Sequence, residues 1–265
     1  MLSPIKWSGS KRYLAEEIIS YFPLQCNTYF EPFLGSGAIL LKYLPNKSSV
    51  GDIYDPLIKL WKNIQCNPNW LYDEYVKRYN KFQEDTNFYY EIRSKYNSNF
   101  DPEDLFFLTR TCYNGLIRFN KEGNFSTSCH FGRSGMKPER VEKLLLKTSL
   151  LLSKVCIMCE DYEEAIKRIS TNDFMYLDPP YFKSKGTYFG NFDESRLFYN
   201  LEKLNSKNIK WCLSYDGKTN IDDNVRLIPS YLYKRHIALK SKPSSFRKLK
   251  NKKNTMVQES LYLNY

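Results

Sequence analysis

The chain is 265 residues long, 42% hydrophobic and 16% aromatic, which allows a substantial buried core and excludes a disordered tail. Its 40 Lys and Arg against 29 Asp and Glu leave a net charge of +11, and residues 240–253, KSKPSSFRKLKNKK, carry seven bases and no acid, a field that attracts polyanions but equally suits a solvated basic loop. The longest apolar stretch, LLLKTSLLLSKVCIM, is interrupted by Lys147 and Lys154, which argues against a membrane span.

Taken in chain order, RYLAEEIISYF places Leu14, Ile18, Ile19 and Phe22 on one helical face. TYFEPF is extended and aromatic, LGSG is a tight turn, and AILLKYL is a helix that Pro45 ends. SSVGD reads as a second short strand, and DPLIKLWKNI as a helix with Asp55 as N-cap and Pro56 at its first position. This is the βαβ rhythm of an open, mainly parallel sheet. From residue 61 to 150 the rhythm breaks: the chain is polar, aromatic and helical in patches, then turns through YNGL and the Gly- and Ser-rich KEGNFSTSCHFGRSG. Strand-like runs resume with KVCIMC, DFMYL, IKWCLSY and MVQESLYLNY. The expected fold is α/β, a Rossmann-like, mainly parallel sheet with helices on both faces, formed by residues 1–60 and 151–265. Residues 61–150 are an inserted, mostly helical unit carrying a β-hairpin.

Seven cysteines, an odd number, in a chain with no secretory leader point to reduced thiols in a cytoplasm. Cys156 and Cys159 form a C-x-x-C, but zinc would want a second pair or nearby histidines, and His130 and His236 are the only two. Buried thiols on a strand, with no metal site, are expected.

Three segments carry chemistry. In FEPFLGSGAIL, Gly35 and Gly37 permit positive φ and close approach of a ligand to the backbone. Leu40 stands where a dinucleotide fingerprint wants a third small residue, which argues against nicotinamide or flavin. Taken alone the loop reads better as an ordinary Gly-rich turn. Asp52 ends the second strand seventeen residues after Gly35, near where an acid meets ribose hydroxyls in such folds. A nucleoside cofactor without a pyrophosphate, such as S-adenosyl-L-methionine, fits this pairing.

In FMYLDPPYF, a wholly apolar strand stops at Asp178, Pro179, Pro180 and Tyr181. Asp-Pro is also a device for starting helices, used at Asp55-Pro56 and Asp101-Pro102. The third pair differs in its second proline, which stiffens the turn and fixes the direction of the Pro179 carbonyl. Methylation of an exocyclic amine wants this arrangement, since a carboxylate and a carbonyl can each accept one N–H and aim a poor nucleophile at a methyl donor. Tyr181 would stack on the base, worth about 1 to 3 kcal/mol on an aromatic face. A paired base cannot reach such a pocket and has to be flipped out.

Together DPPY, FLGSG and the N-terminal KWSGSK resemble the DNA adenine N6-methyltransferases of the Dam type. The resemblance covers nearly the whole chain, and the order of the motifs implies the alpha arrangement: cofactor loop first, target recognition in the middle, catalytic loop last. It implies direct transfer from S-adenosyl-L-methionine, with no metal and no covalent enzyme intermediate. The cofactor residues it implies are Trp7, Lys11, Phe33, Gly35, Gly37, Asp52, Asp161, Tyr162 and Asp178, and the catalytic residues are Asp178, Pro179, Pro180 and Tyr181. CYNGLIRFNKEGNF resembles the family's recognition hairpin, so Lys6, Asn114, Leu116, Arg118, Asn120 and Arg133 are the implied DNA contacts. Two departures stand out: SGS at Ser8–Ser10 replaces the usual G-G, and STSCHFGR carries His130 where relatives acting on GATC end P-F-G-R. The target is therefore not assigned to GATC. The implied partner is double-stranded DNA, with a monomeric enzyme, no membrane, and a cognate restriction endonuclease acting separately as a compatible companion. An RNA adenine methyltransferase and a catalytically inactive DNA-binding regulator are the rival readings.

Overall fold

A computed structural model describes residues 2–130, 132–180, 192–215, 228–241 and 257–265. Tyr181 and residues 242–253 of the basic stretch lie outside the described residues.

Seven strands form one sheet among the described residues: β1 (Tyr29–Glu31), β2 (Ser48–Asp52), β3 (Val155–Cys159), β4 (Phe174–Leu177), β5 (Lys210–Tyr215), β6 (Arg235–Ser241) and β7 (Val257–Leu263), in the order β3-β2-β1-β4-β5-β7-β6. Strands β1 to β5 are parallel to one another, while β7 runs antiparallel to both β5 and β6. The fold is thus α/β with a mostly parallel sheet, as the βαβ rhythm predicts. Tyr29 pairs with Ser48 on one side and Phe174 on the other, so the chain winds away in both directions from the β1–β4 pair. Loops that leave the carboxyl ends of two such strands diverge and open a crevice between them.

All four residues of β4 are buried, as befits a central parallel strand covered on both faces. Its alternation divides the core. Phe174 and Tyr176 join Tyr29, Ile18, Phe22, Leu40 and Leu41 on one face. Met175 and Leu177 join Phe30, Trp211 and Leu213 on the other, beneath Ala165 and Ile166 of α8 (Tyr162–Arg168) and Leu197, Leu201 and Leu204 of α9 (Glu194–Ser206).

Of the first helix only Ala15–Ile19 (α1) is regular, and the expected stripe faces inward, with Leu14, Ile18 and Phe22 buried. Helix α2 (Leu40–Tyr43) ends at Leu44 in a left-handed conformation, φ 52°, one residue before Pro45. Helix α3 (Asp55–Cys66) corrects one capping expectation. Tyr54 is the N-cap, and Asp55 is already helical, its carboxylate 2.7 Å from Lys59 one turn on. An acid in the first turn is favourable there without capping, because it meets the positive end of the helix dipole.

Helices α4 (Pro68–Glu84), α5 (Phe88–Asn99), α6 (Pro102–Thr111) and α7 (Pro138–Leu152) follow before β3 returns to the sheet. Every residue of α6 from Asp104 to Thr111 is buried, making it the centre of this group. Arg78 of α4 reaches into it and meets Asp104 at 2.6 Å and Glu74 at 2.6 Å, with Lys95 at 3.0 Å from the other Asp104 oxygen. Helix α3 runs unbroken across residues 60 and 61, and its Leu57, Trp61 and Ile64 are buried in the same core as the sheet residues.

The C-x-x-C expectation is corrected in part. Cys156 and Cys159 do lie on a strand, but both are exposed, because β3 is the edge of the sheet and only Ile157 of its five residues is buried. All seven cysteines are free thiols, and no cluster of His, Cys, Asp or Glu among the described residues is arranged to hold a metal ion. No helix among the described residues is long and apolar enough to cross a membrane.

Candidate active site

The carboxyl ends of β1, β2 and β4 open onto one cleft of about 1170 Å³, part of it open solvent. Trp7, Lys11, Phe33, Gly35, Asp52, Asp161, Tyr162, Asp178, Pro179 and Pro180 all line it, so segments up to 173 residues apart in sequence converge there.

The glycine loop is built from within. Gly35 and Gly37 both have positive φ, 46° and 60°. Trp61 of α3 donates its indole N–H to the Gly35 carbonyl at 3.0 Å, and its ring lies where a Cβ on Gly37 would be, 2.8 Å from the nearest atom. Trp7 packs on Gly35 from the other side, 3.1 Å from a notional Cβ. The close approach at Gly37 is therefore made by the protein's own tryptophan. Gly37→Ala is expected to cost about 2–4 kcal/mol, combining the left-handed backbone penalty with overpacking against Trp61. Urea unfolding measures it, and an unchanged midpoint would mean that Trp61 yields freely.

Asp52 closes this loop against β2. Its Oδ2 accepts the Gly35 N–H and its Oδ1 the Tyr54 N–H, each at 3.1 Å. Burial raises its pKa, while these backbone donors pull it back. The carboxylate is thus fixed in direction at the cleft wall, a geometry suited to a pair of hydroxyls. At the far wall Phe33 packs on Tyr162, with ring centroids 5.2 Å apart, and on Phe192 at 6.0 Å. Asp161 caps α8, and both its oxygens also accept from Arg196, whose guanidinium lies 5.2 Å above the Tyr162 ring.

Asp178 follows β4 directly, flanked by buried Pro179 and half-buried Pro180. Its Oδ1 lies 2.7 Å from Lys11 Nζ. Burial pushes its pKa up to about 6, with Lys11 pulling it down and Glu259 raising it. Lys11, implied as a cofactor residue, has its ammonium on the protein carboxylates Asp178 and Glu259, the latter at 3.5 Å. Glu31, the acid just before the loop, is buried beneath the site and accepts the Tyr29 hydroxyl at 2.9 Å. Burial drives its pKa well above the ordinary carboxylate range, and the nearby Asp178 charge adds to this.

The SGS departure has a structural account. The Ser8 hydroxyl donates to the Ile117 carbonyl at 2.8 Å and accepts the Ile117 N–H at 2.9 Å, while Ser10 Oγ lies 2.7 Å from Ser36 Oγ in the glycine loop.

Between α6 and α7, Tyr113–Gly115 forms a 3-10 turn with positive φ at Asn114 and Gly115, 54° and 65°. The hairpin beyond it is held by two isolated bridges, Cys112 to Cys129 and Phe119 to Phe125. Its tip is not at Asn114-Gly115: the chain reverses at Asn120, whose N–H donates to the Asn124 carbonyl at 2.9 Å. The Asn120 side-chain oxygen accepts the N–H groups of Glu122 and Asn124, so this implied DNA contact also builds its own turn. Lys6 lies against the hairpin, its stem occupying the space a Cβ on Gly115 would need. Burial and the charge of Arg110 hold the Lys6 ammonium below its ordinary pKa, with Arg133 adding to the effect. Arg110 itself is buried and donates to the carbonyls of Ser3, at 3.2 Å, and Pro4. Arg118, Asn120 and Arg133 are exposed, while Lys6, Asn114 and Leu116 are half-buried.

Residues 7–255, spanning the cleft, the helical group and the hairpin, match the family of D12 class N6 adenine-specific DNA methyltransferases. The chain belongs to that family. This D12-class enzyme is 29% identical over 264 residues to the Type II methyltransferase M.MjaIII of Methanocaldococcus jannaschii, an alignment covering 88% of this chain and 90% of the relative. It is 30% identical to M1.LlaDCHI of Lactococcus lactis subsp. cremoris, over 66% of this chain and 64% of that protein. The DNA adenine methylase of Serratia marcescens is 29% identical over 67% of this chain and 66% of its own length. As a D12-class enzyme the protein is an adenine-specific DNA methyltransferase acting with a methyl donor on DNA.

The motif residues were visible in sequence because each breaks a local pattern. Glu31, Tyr54, Phe192, Arg196 and Glu259 were missed. Glu31 had a signal, an acid inside an apolar strand immediately before the glycine loop. Arg196 had none, since it is one basic residue on a polar helix face that only the fold sets beside Asp161.

Proposed function

We propose that the enzyme transfers the methyl group of S-adenosyl-L-methionine to the N6 of an adenine flipped out of duplex DNA. What supports this best is that Asp178 and Pro179, at the end of β4, open into the same cleft as the glycine loop and Asp52. Bound there, the cofactor would supply an electrophilic methyl on a sulfonium. The cleft suits it: a carboxylate held by two N–H donors for ribose hydroxyls, and an aromatic wall for a purine ring. Trp7, Lys11, Phe33, Gly35, Asp52, Asp161, Tyr162 and Asp178 hold it in this reading, with Gly37 shaping the loop against Trp61 and Trp7 offering a ring face for which a cation has affinity.

Asp178 and the Pro179 carbonyl each accept one N–H of the target amine, Pro180 stiffens the turn, and Tyr181 stacks on the base. Fixing the amine in this way aims its lone pair and provides fixed acceptors where positive charge develops. Lys6, Asn114, Leu116, Arg118, Asn120 and Arg133 hold and read the duplex, the arginines being suited to bidentate contact with guanine. We keep residues 61–150 as the target-recognition unit and 1–60 with 151–265 as the catalytic unit, α3 belonging to the interface of the two. The enzyme acts as a monomer, with any cognate restriction endonuclease acting separately. Incubation with duplex DNA and tritiated S-adenosyl-L-methionine should place label in N6-methyladenine after digestion to nucleosides. Label in RNA alone, or saturable cofactor binding with no product, would reject the reading.

A further inference from the structure

One acid at the site has no part in the roles above. Glu259 enters from β7, which runs antiparallel to β5 with Ser260 opposite Tyr215, so its early residues lie at the carboxyl edge of the parallel strands, where Asp178 emerges. Glu259 Oε2 is 3.5 Å from Lys11 Nζ, and Asp178 Oδ1 is 2.7 Å from the same atom. The lysine side chain is 4% exposed and each carboxylate 18%. Two acids thus share one base in a site largely closed to water.

We propose that Glu259 is a positioning residue for methyl transfer: by competing with Asp178 for the Lys11 ammonium, it keeps the Asp178 carboxylate a strong acceptor for the target amine. The inference rests on the catalytic reading of Asp178 given above. A carboxylate that has an ammonium to itself is a weak base and a weak acceptor for a further donor; dividing that ammonium restores its basicity. Among the described residues, the other titratable groups facing Asp178 are Glu31 on β1 and Tyr176 on β4. Burial raises the pKa of both, favouring their neutral forms, so the charge balance at Asp178 is set chiefly by Lys11 and Glu259. The opposite pulls of these two on Asp178 agree with that balance.

The test titrates the Asp178 carboxyl by carbon-13 NMR in the full-length protein, free of DNA and cofactor, for the parent, E259Q and E259D, with D178N identifying the resonance. Single-turnover methylation of duplex DNA is followed over the same pH range. In E259Q the Asp178 midpoint is expected to fall by about half to one pH unit, since a nearby negative charge is lost and Lys11 is no longer divided. The plateau rate should fall about three- to tenfold with the weaker acceptor, and E259D should return both values toward the parent. A folded E259Q whose Asp178 midpoint stays within about 0.2 units of the parent overturns the inference, that being far less than the loss of an acid sharing the same buried ammonium produces. So does an E259D that behaves like E259Q, which would mark a packing role. If the midpoint moves but D178N methylates at the parental rate, the catalytic reading of Asp178 fails instead, and the role of Glu259 in transfer fails with it.

Discussion

Asp178→Asn is expected to slow single-turnover methyl transfer by a factor of about 10² to 10³ while leaving the protein folded, the loss typical of one preorganised electrostatic group in a closed site. The amide keeps the size and one acceptor oxygen of the native side chain but removes the charge that holds the amine and meets Lys11 at 2.7 Å. The same carboxylate sets the pH dependence. With its pKa pushed up to about 6 by burial, the parent enzyme should lose rate as pH falls through 6 and Asp178 takes up a proton. Stability runs the other way. The pKa in the fold lies above the ordinary 3.8, so the folded state holds this proton more tightly. The stability tied to that proton is full below about pH 4 and lost as pH rises through about 6. At pH 7 the native carboxylate is therefore a burden on the fold, and D178N should unfold in urea no earlier than the parent on this account. Quench-flow methylation and urea unfolding at pH 7 separate the two effects; parental turnover by D178N would remove Asp178 from the chemistry.

Asp104→Ala should be the most damaging change in the helical group. Asp104 is fully buried and takes the Arg78 guanidinium at 2.6 Å, and its removal leaves that charge inside the core with Glu74 at 2.6 Å and Glu103 at 3.6 Å as its remaining acids. Breaking a buried pair from one side costs about 3–5 kcal/mol, and the retained Glu74 contact places the expected loss near about 3 kcal/mol. The double change Arg78→Met with Asp104→Leu should cost far less, because it removes both charges and fills the space with apolar groups. Equilibrium urea unfolding distinguishes the cases. Equal losses for the single and double variants would show that packing, and not the stranded charge, governs α6.

How much of this was legible in the sequence follows from how each element is buried. β1, β4 and β5 are recognisable because central strands are covered on both faces and read as short apolar runs, FMYL of β4 above all. β6 escaped notice because RHIALKS is an edge strand with only three apolar residues, Ile237 to Leu239, between polar and basic pairs, and an edge strand looks like a loop in composition. Edge position also misled the reading of β3: VCIMC is apolar enough for a buried strand, yet Cys156 and Cys159 face solvent. At the site, Gly35, Gly37, Asp52 and Asp178 were legible because they stand at strand ends, where the fold sends ligand groups. What was not legible was contact between distant segments. Asn114-Gly115 has the dipeptide of a tight hairpin turn, but the Asn120 side chain, by accepting two backbone N–H groups, captures the reversal instead. Trp61 sits on an ordinary amphipathic helix, and nothing local reveals that it props the glycine loop.

The serines of the N-terminal segment tie distant parts together. Ser8 is bonded twice to Ile117 and Ser10 once to Ser36, with only Gly9 between them. The loop that would meet the nucleic acid and the loop that would grip the donor therefore hang from a single three-residue bracket. Movement of either loop reaches the other through these hydrogen bonds and the short covalent link between the two serines, and a lesion at either serine cannot be assigned to sequence discrimination or to donor binding alone.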